Sequence, residues 1–114
     1  TSPYVGDQLF GASRERSFLL SGLRELRREA GVVEGVELAD HVSEVLRLAA
    51  APVPADVRDD LLAEGLAPAL KKMLAALEEA RHPWADAVAA ALQVIETTQQ
   101  RAGDGVACAA EARP

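Results

Sequence analysis

The chain has 114 residues, 12 of them Lys or Arg and 18 Asp or Glu, which gives a formal charge of −6 and a pI near 4.8. That length points to one domain, and the acidic balance speaks against a nucleic-acid footprint, which needs a basic face, and for basic partners. With 23 Ala, 15 Leu and 11 Glu against one Ile and three Thr, and its eleven Val scattered rather than alternating, the composition excludes an all-β fold and predicts an all-α domain.

Residues 1–12 (TSPYVGDQLFGA) read as an irregular lead-in whose Tyr4, Leu9 and Phe10 dock on the rest, with room for a short helical turn. A first long helix is predicted from Ser13 to Ala30. Ser13 can cap its free amides and Gly31 supplies the permissive residue past its end. Leu19, Leu23, Leu26 and Ala30 form its apolar stripe. Five arginines against three glutamates leave only +2 between Arg14 and Glu29, which reads as a solvated face. After a short connection (GVVEGV), a second helix begins near Leu38 to Asp40 and ends before Pro52, with Leu38, Val42, Val45, Leu46 and Ala49 on one face. Glu37 and Asp40 sit where the positive end of the helix dipole favours negative charge.

Pro52-Val53-Pro54 breaks the chain. A short helix to about Ala63 and a longer one with Pro68 in its first turn follow, their stripe running from Leu61 to Leu77. His82-Pro83 punctuates, and a last helix runs to Thr98 with Trp84 as its core or semi-buried anchor. From Gln99 the periodicity dies, so 100–114 is expected to be a disordered tail behind a 13–99 bundle domain. Short connections pack such amphipathic helices into a compact bundle of four to five.

Little here points to catalysis. No Gly-rich phosphate loop, H-E-x-x-H or nucleophile elbow is present. Asp40 and His41 are adjacent, but neighbours on a helix point about 100° apart and do not form a dyad. The lone Cys108 excludes an internal disulfide and a multi-thiolate zinc site, and His41 and His82 lie far apart, so no metal or cofactor is expected. No apolar run reaches the roughly 20 residues of a membrane span. The chain begins at Thr1 without Met and reads as a fragment or processed form in a reducing, cytoplasmic setting. The acidic excess falls around the second helix and between Asp56 and Glu79, −3 in each.

Glu37-Leu38-Ala39-Asp40-His41-Val42, followed by Val45-Leu46-Arg47-Leu48-Ala49, resembles the E-x-P-D-H-[LIV] signature of TorD/NarJ-type molybdoenzyme assembly chaperones. Leu9-Phe10-Gly11-Ala12-Ser13-Arg14-Glu15-Arg16 is similar to the L-F-G-x-[ST]-x-x-R stretch of the nitrate-reductase delta-subunit branch. Leu66 to Leu70, Met73-Leu74 and His82-Pro83-Trp84 resemble its last two helices. The likeness covers roughly residues 4–97. Ala39 replaces the motif proline, and the helices that family members carry before the position of Tyr4 are lacking, which leaves a homodimer open.

The resemblance implies a TorD/NarJ-like all-α fold and a non-catalytic cytoplasmic role. Such a chaperone binds the twin-arginine leader, or its remnant, of a molybdoenzyme catalytic subunit and assists cofactor insertion before export or membrane attachment. The peptide-binding residues it suggests are Glu37, Asp40 and His41 at the polar end of an apolar groove and Val42 and Val45 in its wall, joined by Tyr4 and Phe10. The alternative is a plain helical interaction or dimerisation module; a hydrolase using His41 is a third class.

Overall fold

Capping defines the longest predicted helix closely. The Ser13 side chain accepts from the Arg16 amide, and Gly31 takes the left-handed conformation (φ 72°) that closes the other end. In a computed structural model that describes the backbone of residues 1–111 and side chains through Arg101, this helix is α2, Arg14–Ala30. Before it, the lead-in folds into a helix of its own, α1 (Val5–Phe10). Beyond it lie α3 (Val42–Ala50), α4 (Ala55–Asp60), α5 (Ala67–Glu79) and α6 (Ala85–Glu111). A π-helical segment, Leu61–Leu66, fuses α4 to α5 without a break. Counting that fused unit once, the described residues form an all-α bundle of five helices.

The second predicted helix starts later than its apolar spacing suggests. Residues 31–41 form a loop that ends in a turn at 38–41, so Leu38 and Asp40 precede α3 instead of lying on it, and His41 caps it. Two backbone bonds across an isolated antiparallel bridge between Tyr4 and His41 hold this loop: Val5 N–H donates to Asp40 O (2.8 Å) and Val42 N–H to Pro3 O (2.9 Å).

The wide turn at Leu61–Leu66 has a local cause. In a regular α-helix the ring of Pro68 would press on the carbonyl of Glu64. Here the chain instead widens one turn earlier, where the Ala67 amide reaches back five residues to Leu62 O. The core runs along this unit: Leu66 and Leu70 are fully buried with Val5 of α1 and Val45 and Leu48 of α3. Each such side chain contributes about 1.5–3 kcal/mol by leaving water. Leu92 and Ile95 of α6 close the same cluster against α5.

Long basic side chains finish helix ends that the backbone leaves open. Arg58 donates to the carbonyls of Ala49 (2.7 Å) and Ala51 (3.0 Å) at the end of α3, and Lys72 donates to Gln8 O (3.0 Å) in α1. The α2 arginines are a mixed set. Arg14, Arg24 and Arg28 are solvated, as their pattern suggests. Arg16 turns inward to Asp40, and Arg27, only 4% exposed, bonds Glu44 of α3 at 3.5 Å. Helical spacing alone cannot reveal that a carboxylate from another element waits beneath. Trp84, expected as a core or semi-buried anchor, is 67% exposed; it precedes α6, in the turn whose His82 ring accepts from its amide. The α6 backbone continues past Thr98 on helix-favouring Gln and Ala. The side chains of the expected tail beyond Arg101, and the whole of 112–114, lie outside the described residues.

Candidate functional site

The residues carrying the motif do not stay together. Asp40 has no exposed surface: its Oδ2 accepts from Arg16 Nε at 2.9 Å, while Oδ1 has no hydrogen-bond partner. Val45 is buried in the core. Neither can touch a guest on the surface. Around that buried pair, Tyr4, Glu37 and His41 form an outer cluster. Tyr4 O–H donates to Glu37 Oε2 (2.7 Å), the Tyr4 and His41 rings meet edge to face at 5.3 Å, and the Arg16 guanidinium lies 5.4 Å from the Tyr4 ring centre. Accepting that hydrogen bond makes Glu37 hold the phenol proton, so the Tyr4 pKa is raised, with desolvation adding to it. The Arg16 pKa is likewise raised, first by its hydrogen bond to Asp40.

His41 has a local task. Its Nδ1 accepts from the Ser43 amide at 3.1 Å, capping α3, and lies 2.8 Å from Ser43 Oγ. His82 repeats the device, accepting from the Trp84 amide at 3.1 Å. Val42 faces a different place, an apolar cleft of about 380 Å³ that it shares with Pro3, Met73, Leu77, Trp84 and Val88.

Phe10 belongs to a third place. It lines an apolar groove of about 410 Å³ between α1, α2 and the α4–π unit, with Leu9, Leu19, Leu26, Val57, Leu61 and Gly65. Asp60 and Glu64 stand on its edge. Among the described residues neither carboxylate has a salt-bridge partner. Greasy walls and carboxylates at the rim are the arrangement expected around Asp40, found instead one helix away. A signal for it was present in the sequence: Asp60 and Glu64 are four apart and flank Leu61 in the acidic stretch after Pro54.

A further hollow, of about 420 Å³ and polar, lies between Arg24, Arg27, Glu34 and Glu37. Among the described residues no group of three or more His, Cys, Asp and Glu stands close enough to hold a metal ion, and no helix is long and apolar enough to cross a membrane.

Comparison with protein-family models, with curated proteins and with solved structures returns no match.

Proposed function

We propose that the chain is a non-catalytic chaperone of the TorD/NarJ kind, which holds the N-terminal leader of a molybdoenzyme catalytic subunit in the cytoplasm while its cofactor is inserted. The observation that supports this most is the groove: an apolar floor from α1, α2 and Leu61, with the carboxylates of Asp60 and Glu64 on its rim. A leader of this class is basic at one end and apolar beyond, and both halves find a complement there. The D-H motif then acts at one remove. Asp40 accepts from Arg16 of α2 and its carbonyl accepts from Val5 of α1, so it fixes the two helices whose Leu9, Phe10 and Leu19 form the groove wall. Asp40 is thus a positioning residue and Phe10 a contact.

Calorimetric titration with a synthetic molybdoenzyme leader tests the reading. Micromolar or tighter binding is expected, and Asp60→Asn with Glu64→Gln should weaken it about tenfold, roughly 1.4 kcal/mol. A leader that gives no binding heat, or a double variant with wild-type affinity, would refute the proposal.

One observation favours a second reading, a plain interaction or dimerisation module. Trp84 is exposed beside the apolar cleft of Val42, Met73 and Leu77, and interfaces favour Trp. Sedimentation of the full chain across a concentration series separates the two, because a leader-binding monomer stays monomeric.

A further inference from the structure

Glycine within a helix weakens it, so each one needs a reason. Gly6 has an internal one: a Cβ there would come within 2.6 Å of Asp40 Oδ2 and 2.9 Å of Arg16 Cγ. Gly22 and Gly65 have none. Gly22 lies in the middle of α2, one turn after Leu19 and one before Leu26, both of which line the apolar groove. Gly65 lines the groove from the π segment. Neither takes a positive φ. A Cβ at Gly22 would meet nothing within 4 Å, and one at Gly65 would meet only Val5 Cγ1 at 4.0 Å, an ordinary contact. Alanine would fit both places and hold the helices better. Folding therefore gives no reason for either glycine, whereas a guest that must lie close against the backbone does.

We propose that Gly22 and Gly65 are the specificity-determining positions of the groove, Gly65 leaving bare backbone in its lining and Gly22 leaving it on the exposed α2 surface between the lining residues Leu19 and Leu26, for an amphipathic helical guest whose small side chains seat against them. The occupant is one helix of a partner protein, with Ala, Ser or Gly on the side toward the two glycines, larger apolar residues over Phe10 and Leu61, and a Lys or Arg reaching Asp60 or Glu64. Helix axes approach to a distance set by the side chains between them, so a missing Cβ in the groove lining and on the α2 surface beside it selects small residues on the guest. The carboxylates, without a salt-bridge partner among the described residues, set the sign of its charge. This rests on the same groove as the chaperone reading and adds what the groove selects.

The test uses the full chain, its Gly22→Ala, Gly65→Ala double variant, and two fluorescein-labelled synthetic helical peptides. Both peptides carry the same Leu and Lys positions, and differ in having Ala or Leu along one face. Anisotropy should show the wild type binding the Ala-faced peptide at least tenfold tighter than the Leu-faced one. The double variant should lose at least tenfold for the Ala-faced peptide while its Tm stays level or rises. A purely structural role for the glycines predicts the reverse, a lower Tm with affinity unchanged. Equal affinities of wild type and variant, or no binding of either peptide to the wild type, would overturn the inference. A molybdoenzyme leader run in parallel keeps the two proposals apart. If the leader fails while the designed peptides discriminate, the chaperone reading falls and the inference stands. If the leader binds wild type and variant alike, the reading stands and the inference falls.

Discussion

Asp40 is the residue on which the arrangement turns, and its burial sets what its removal costs. Breaking a fully buried ion pair costs about 3–5 kcal/mol. Arg16 keeps 21% of its side chain in water, so about 2–3 kcal/mol is the expected loss for Asp40→Ala, read from urea denaturation. Gly6→Ala pushes a methyl into the same pair and should cost about 1–3 kcal/mol; wild-type stability in either variant would show that the pair does not hold α1 to α2. Tyr4 offers a cleaner probe, being the only tyrosine of the chain. Its raised pKa means that its contact with Glu37 contributes in full below the unfolded value of about 10 and is lost as pH rises through the higher folded value. Ultraviolet titration should therefore place the folded midpoint above that of the urea-unfolded chain, and Glu37→Gln should bring it down; a midpoint indifferent to Glu37 would rule out the hydrogen bond. The resemblance names Asp40 and Tyr4 in one peptide-binding set. That one is sealed in and the other is not depends on Arg16, 24 positions away, which no local pattern reveals.

At the level of the elements, whatever a cap or a proline specifies could be read in advance, and whatever a tertiary partner specifies could not. Ser13 and Gly31 bound α2 as their chemistry requires. The start of α3 misleads because Leu38 continues the apolar spacing, yet residues 38–41 close a turn, with the His41 amide donating to Leu38 O, and His41 bridges to Tyr4 before the helix can begin. His41 then serves as the cap, a task usually given to Ser, Thr, Asp or Asn. His41→Asn should accordingly retain stability, whereas His41→Ala should cost about 1 kcal/mol, measured by the same urea midpoints. If both variants behave alike, the Ser43 amide is not held by the ring. Pro68 gives the opposite lesson. It predicts an interruption, but the chain absorbs it as a wide turn and α4 runs straight into α5. The π segment thereby brings Leu61, Glu64 and Gly65 together on the groove, a surface that a regular 3.6-residue period would distribute differently.

Over the whole molecule, composition determined the class, because a chain so rich in Ala and Leu has few ways to bury its stripes except against other helices. It could not determine which stripes remain bare. Two apolar hollows among the described residues share no lining residue: the acidic-rimmed groove of Phe10 and Leu61, and the cleft beneath Trp84. Their separation makes the single tryptophan of the chain a reporter on one and silent on the other. Because Trp84 is exposed, iodide should quench its emission readily in the free chain. A helical guest seated in the groove touches none of the residues around the indole, so saturating the chain with leader peptide should leave the quenching constant unchanged. Self-association through the Trp84 cleft would bury the indole instead, and quenching would then fall as protein concentration rises, with Trp84→Ser abolishing the effect. Protection of Trp84 by the leader peptide at a fixed, dilute protein concentration would place the guest in the cleft and remove Asp60, Glu64 and Phe10 from the binding surface.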